Sequence, residues 1–153
     1  MREVAFDELD DTVGEQLGWS DWVTVDQDRI NAFADATGDH QWIHVDVERA
    51  RDSAFGTTIA HGYLTVSLIP MLMQQVWSVT GLESRLNYGL NRCRFPSPVP
   101  AGSRVRAGAT LAEVQVEADG SKRILLDVTV EREGGAKPVC VAQTVVRYYP
   151  AKG

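Results

Sequence analysis

The spacing of apolar residues changes character three times along the chain. Residues 22–25, WVTV, have the β-branched and aromatic make-up of a short strand. Asp26 follows as an N-cap, with Val25 and Ile30 at the two positions of a hydrophobic staple. Ile30, Phe33, Ala34 and Thr37 recur at i, i+3, i+4 and i+7, which predicts an amphipathic helix over 27–37. Gly38 is its stop signal. Residues 39–44 therefore begin where a rigid element ends, and Asp46 can cap a further short helix, VERARD.

The second regime is YLTVSLIPMLMQQVWSVT, residues 63–80, closed by Gly81. Apolar residues occupy nearly every face, the pattern of a helix enclosed by protein or by lipid. About 18 residues is short for a membrane span, and Pro70, Gln74, Gln75 and several hydroxyl residues interrupt the run. The pattern predicts one long, buried central helix. Pro70 cannot donate to the carbonyl of Val66, so a bend is expected there.

From residue 85 onward the period becomes two. RLNYGLNRCRF alternates Leu86, Tyr88 and Leu90, PSPVPAGS is a turn cluster, and VRAGATLAEVQVE is a second strand. Asp119-Gly120 and Gly134-Gly135 mark hairpins before RILLDVTVERE and PVCVAQTVVRYY. The expectation is a meander of four long strands. A curved antiparallel sheet wrapped around the apolar helix buries both apolar faces at once, an α+β layout that resembles the hot-dog fold. With no repeat and no linker, residues 1–153 read as a single domain. Such a sheet keeps an open edge, so a homodimer formed by edge pairing is expected.

Composition narrows the partners. The net charge of −6 argues against a general nucleic-acid or anionic-membrane surface, although a local basic patch for a phosphorylated ligand stays open. Cys93 and Cys140 are far apart in sequence and lack metal-ligand spacing, so both read as reduced and buried. MREVAFDELDD has no apolar h-region, and the cytoplasm is the expected compartment.

Candidate chemistry concentrates in ATGDHQWIHVD, residues 36–46. A neutral imidazole at His44 can take a proton from water, and the Asp39 carboxyl can return one to carbon, which suits addition or removal of water across an activated double bond. The same residues could instead cap carbonyls at a helix end or face solvent. His40 and His44 with Asp39 or Asp46 also offer N and O metal ligands, but i, i+4 spacing converges only on a helix, and Gly38 has ended it. In IAHGYLTVS, His61 and Gly62 stand where the central helix begins. Free N–H groups there suit an anionic oxygen, and Gly62 would let a ligand approach closely; the alternative is a tight turn with His61 half-buried. Ser67, one turn on, can bond a ligand carbonyl or its own backbone. No GxSxG and no Gly-rich phosphate loop is present. Arg92, Arg94, Arg104 and Arg106 fall at alternate strand positions around the PSPVP turn, as a solvated face or a phosphate site.

FADATGDHQWIHVDVERA followed by FGTTIAHGYLTVSL resembles the MaoC-like dehydratases, the (R)-specific enoyl-CoA hydratase family. NYGLNRCRFPSPVPAGSRVR is similar to its nodulation-protein-N-like branch. The likeness runs over roughly residues 20–148, and Phe33, Gly38, Asp39, His44 and Ala50 fit the hydratase motif. Gln41-Trp42 stands where the family usually has Asn-Pro. The resemblance implies water addition to a trans-2-enoyl-CoA, with Asp39 and His44 holding one water and the Gly62 amide holding the enolate oxygen. Gln41, His61 and Ser67 would contact substrate, the acyl chain would run beside the central helix, and CoA would lie across a dimer surface. No metal or redox cofactor is implied. A 3-hydroxyacyl thioester on acyl carrier protein, a hot-dog thioesterase and a non-catalytic acyl-binding module are the alternatives.

Overall fold

The computed structural model describes residues 1–152. Strand β1 (Arg2–Ala5) leads into a 3-10 turn (Phe6–Thr12), then β2 (Gln16–Trp19) and β3 (Val23–Val25). Helix α1 (Gln27–Thr37) has the predicted bounds. The Asp26 carboxylate accepts from the Arg29 amide at 2.9 Å, and Gly38 closes the helix with φ 78°, a conformation that favours glycine. Two short helices follow, α2 (Trp42–Val45) and α3 (Val47–Arg51), the second capped by Asp46 as expected.

The central helix departs from expectation. It is two pieces, α4 (Gly62–Ser67) and α5 (Ile69–Val76), joined through Leu68, and it stops four residues early. The Leu68 amide bonds back to Leu64 and Thr65, and the Leu72 amide to Leu68, so the break falls two residues before Pro70 rather than at it. Residues 77–80, aromatic and β-branched in part, leave the helix as β4 (Trp77–Thr80) and pair in parallel with β1, Val4 opposite Val79. One helix face also stays open, because Tyr63, Ser67 and Pro70 are exposed while Leu64, Leu68, Leu72 and Val76 are buried. The all-apolar pattern therefore reports more contact surface than one chain supplies.

The sheet holds β5 (Leu82–Arg94), β6 (Ser103–Val116), β7 (Lys122–Arg132) and β8 (Cys140–Pro150) in the order β2-β6-β7-β8-β5, with β3 also on β6. Only β6, β7 and β8 form a meander, through the two predicted hairpins. β5 does not pair with β6. It crosses over and lies antiparallel to β8, Arg85 opposite Tyr148 and Arg94 opposite Val141. The proline-rich segment after Arg94 is a crossover whose restricted backbone cannot form a tight hairpin. Val105, Ala107, Ala109 and Leu111 of β6 alternate inward onto Leu72, Ile124 and Val128, which are 0–1% exposed. The whole is the α+β hot-dog arrangement, a curved antiparallel sheet closed over the helix.

β5 has the outer edge and exposes both faces, with Leu86, Tyr88 and Leu90 48–58% exposed. The two cysteines, distant in sequence, come together where β5 meets β8, Sγ to Sγ 3.9 Å, both as free thiols. Cys140 is buried and Cys93 only half-buried, against the expectation that both are buried. Burial and the neighbouring sulfur push the Cys140 thiol up to about 12. No helix among the described residues is long and apolar enough to cross a membrane.

Candidate active site

Three side chains from two segments meet at the start of α4. Asp39 leaves α1 immediately after Gly38, His44 sits in α2, and His61 precedes Gly62. One ligating atom from each lies within 4.8 Å of the others. Asp39 is half exposed, while His44 and His61 are 7% and 2% exposed. A carboxyl at the mouth and an imidazole behind it can share one water, since each needs only a hydrogen-bond length to reach it.

The backbone sets the proton positions. His44 Nδ1 lies 2.7 Å from the carbonyl of Ile59, which can only accept, so Nδ1 carries the hydrogen and Nε2 keeps a free lone pair. His61 Nε2 lies 2.9 Å from the carbonyl of Asp39 and donates to it in the same way. The two rings are stacked, with centroids 3.8 Å apart and planes 23° apart, and Phe33 packs on His61 at 4.9 Å. His61 thus lies behind the pair, gripping the backbone of one member and the ring of the other. Its Nδ1 is buried without a partner among the described residues.

The loop between acid and base is held by packing and side-chain bonds. Gln41 is exposed and its side chain caps nothing. The Arg49 guanidinium lies 4.2 Å above the Trp42 ring. Gln27, at the first position of α1, donates to the His44 carbonyl at 2.7 Å and accepts from the Thr58 hydroxyl. Sequence pattern passed over Gln27 and Thr58. The signal available was weak: a polar residue at a helix N-terminus, and a threonine that proves 1% exposed.

His40, the other histidine of the motif, turns away. It is 52% exposed and bonds to Asp35 on α1 at 2.8 Å, a contact that raises its pKa above the ordinary 6.5. It therefore does not join the cation grouping first considered with His44. The atoms that would ligate a cation are those of Asp39, His44 and His61, and one nitrogen of each imidazole is already spent on a carbonyl.

Gly62 begins α4, so its N–H has no acceptor within the helix. The room that a Cβ would need belongs to a side chain rather than to a ligand: a methyl group at this position would stand 2.8 Å from the Phe95 ring. Phe95 in turn meets Tyr63 edge-on at 6.4 Å. Ser67 is exposed, and its hydroxyl donates to the Tyr63 carbonyl at 2.6 Å, so its own helix takes its hydrogen. Ser67 lines a groove of about 390 Å³ between the helix and strands β5 and β8. The arginines around the turn are mostly neutralised: Arg92 pairs with Asp127 at 2.8 Å, Arg104 with Glu133 at 3.1 Å, and Arg106 with Glu131 at 2.6 Å beneath Trp19 and Trp22. These pairs fit the solvated-face reading, with Arg94 left on the Cys93 carbonyl at 2.8 Å.

Comparison with known proteins gives concordant matches. The family model described as MaoC like domain matches residues 8–134. The 3-hydroxyacyl-thioester dehydratase Z of Mycobacterium tuberculosis (strain ATCC 25618 / H37Rv) is 56% identical over 135 residues, 88% of this chain and 89% of that protein. Nodulation protein N of Rhizobium leguminosarum bv. viciae is 44% identical over 98% of this chain and 96% of its own. Among solved structures, the (R)-hydratase from A. caviae involved in PHA biosynthesis superposes with a TM-score of 0.71 at 24% identity, over 88% of this chain and 94% of that one, a likeness of fold.

Proposed function

The chain belongs to the MaoC-like dehydratase family of hydro-lyases, and from that premise we propose that it adds water reversibly to trans-2-enoyl-CoA, giving (R)-3-hydroxyacyl-CoA. The observation that carries this reading is the Asp39–His44 approach together with the free Nε2 of His44. One water bound between them loses a proton to His44 Nε2 as its oxygen bonds to C3 of the enoyl group. Asp39, in its acid form, delivers a proton to C2. The charge that gathers meanwhile on the thioester oxygen is met by the Gly62 amide. The proton on His44 then returns to Asp39 through the next water, so each turnover consumes one water and no other reagent. Dehydration is the same path reversed, the direction named for the mycobacterial relative.

The acyl chain lies in the groove beside α4 and α5, entering past Ser67. A second copy pairs with the free edge of β5, where the apolar side chains Leu86, Tyr88 and Leu90 are covered. The helix face at Tyr63 and Pro70 finds its missing contacts in the same way. The cytoplasm is the proposed compartment, with acyl carrier protein as the alternative thioester handle. Neither nucleic acid nor membrane is a partner in this reading.

Incubation with crotonyl-CoA tests it. Loss of enoyl absorbance without release of thiol is the expected result. Release of free CoA would overturn hydration in favour of thioester hydrolysis, and no change at all would favour a binding module.

A further inference from the structure

The groove beside the central helix contains polar chemistry that a plain hydrocarbon chain does not use. Much of its wall is apolar, with Val66, Ile69, Met73 and Leu126 along its length. Besides Ser67, polar side chains join them from the sheet: Arg85 and Asn87 from β5, and Thr144 from β8. Thr144 is 9% exposed, and its Oγ1 has no hydrogen-bond partner among the described residues. That oxygen is closed off from the groove, so the side chains that offer a ligand both charge and hydrogen bonds there are Arg85 and Asn87, both exposed.

Arg85 is the arginine that lines this groove. Arg92, Arg104, Arg106, Arg123 and Arg147 each pair with a carboxylate, whereas Arg85, like Arg94 on the same strand, pairs with none among the described residues. It stands opposite Tyr148, which is 3% exposed and packs on Trp77 at 6.2 Å. Burial pushes the Tyr148 phenol up to about 12, so an uncharged hydroxyl accompanies the guanidinium. At this end the groove meets a second cavity of about 320 Å³, lined in part by Gln74, Ser78, Ser84 and the carboxylate of Glu83, which forms no ion pair with Arg85, and the two share Trp77, Arg85 and Tyr148. An unpaired cation thus stands where an apolar channel opens into polar space, in a chain whose net charge is −6.

We propose that the acyl groups selected by this groove carry a carboxylate at the end remote from the thioester, with Arg85 as its counter-ion and the Asn87 amide as a hydrogen-bond donor to it. The inference rests on the hydratase reading of Asp39 and His44, and it adds the substrate class. A methyl-ended chain would leave the guanidinium unanswered. A carboxylate pairs with it and accepts from the Asn87 amide, and charge-assisted bonds are the strong ones.

The test is kcat/KM on matched pairs of trans-2-enoyl-CoA esters of increasing length, one member ending in methyl and the other in carboxylate. Wild type is expected to favour the carboxylate by roughly tenfold or more at one length. Arg85→Met should bring that ratio to one or below, and Arg85→Lys should keep part of it. Equal or better turnover of the methyl-ended member overturns the proposal. So does an Arg85→Met variant that slows both members alike, or one whose subunit count in light scattering differs from wild type. If no enoyl ester is hydrated, it is the hydratase reading that fails. Calorimetric binding of saturated acyl-CoA pairs then decides the groove: a tenfold preference abolished by Arg85→Met sustains the proposal, and equal affinities sink it.

Discussion

His61 stacks on His44, 3.8 Å between ring centroids, while its Nε2–H holds the carbonyl of Asp39. One buried side chain therefore braces both partners of the acid/base pair. In the proposed reaction the stacked ring would support His44 as it takes a proton, and the bond to its carbonyl would keep Asp39 from drifting as the charge moves. Proline is absent from this loop, and His61, Gln27 and Arg49 together supply the rigidity.

The two functions of His61 separate by substitution. His61→Phe keeps a flat ring against His44 but offers no N–H to Asp39, whereas His61→Asn keeps a donor and removes the ring. Each is expected to lower kcat on crotonyl-CoA by roughly tenfold with KM little changed, since positioning acts in the transition state. A rise in KM at constant kcat would assign His61 to substrate contact.

Removing the pair itself costs more. Asp39→Asn and His44→Ala should each reduce turnover by about 10²-fold or more, with the circular dichroism spectrum and the unfolding midpoint close to wild type. Wild-type rates in both variants would show that the roles are misassigned.

Gly62 is small because Phe95 packs on it. Gly62→Ala places a methyl 2.8 Å from the ring, and urea unfolding should show a loss of about 1–3 kcal/mol. Phe95→Ala added to that variant should cost less than the same change in wild type, because the two residues share one contact. Additive losses would mean that the ring moves aside freely.

His40 titrates above its ordinary value of 6.5 because Asp35 bonds to it. A histidine raised in this way lends its pairing to the folded state below the unfolded value, and the contribution fades as pH climbs through the folded one. NMR titration of the imidazole should give a midpoint above 6.5 in wild type and a lower one in Asp35→Asn. Identical midpoints would refute the pairing.

The proposed chemistry runs through protons alone. Prolonged dialysis against a chelator should leave hydration of crotonyl-CoA unchanged, whereas a drop restored by added divalent metal would give Asp39, His44 and His61 a different role.

Local rules made α1 legible from end to end, because the Asp26 cap and the left-handed Gly38 act within a turn of the residues they govern. The hairpins at Asp119-Gly120 and Gly134-Gly135 were legible for the same reason. The spacing of Asp39 and His44 left capping and acid/base chemistry both open, and it was the likeness to the hydratase motif that singled out the pair. Relations set by the distant chain were hidden. Trp77–Thr80 read as helix because nothing local says that Arg2–Ala5 will run alongside it. The partner of β5 is chosen by a crossover, and the two cysteines meet only once that choice is made. His61 looked like a substrate contact on sequence, since stacking between rings so far apart along the chain leaves no periodic trace.

The place of β8 between β7 and β5 also governs the order in which the molecule can come into being. During synthesis the helices and β5 emerge from the ribosome first, yet β5 has no neighbour until residues 140–150 slot in beside it. Closing a loop of that length is entropically slow, so the sheet stays incomplete until all its other strands have been made. Until then β5 has no strand beside it on either edge, and its backbone N–H and C=O groups are open to any other extended chain.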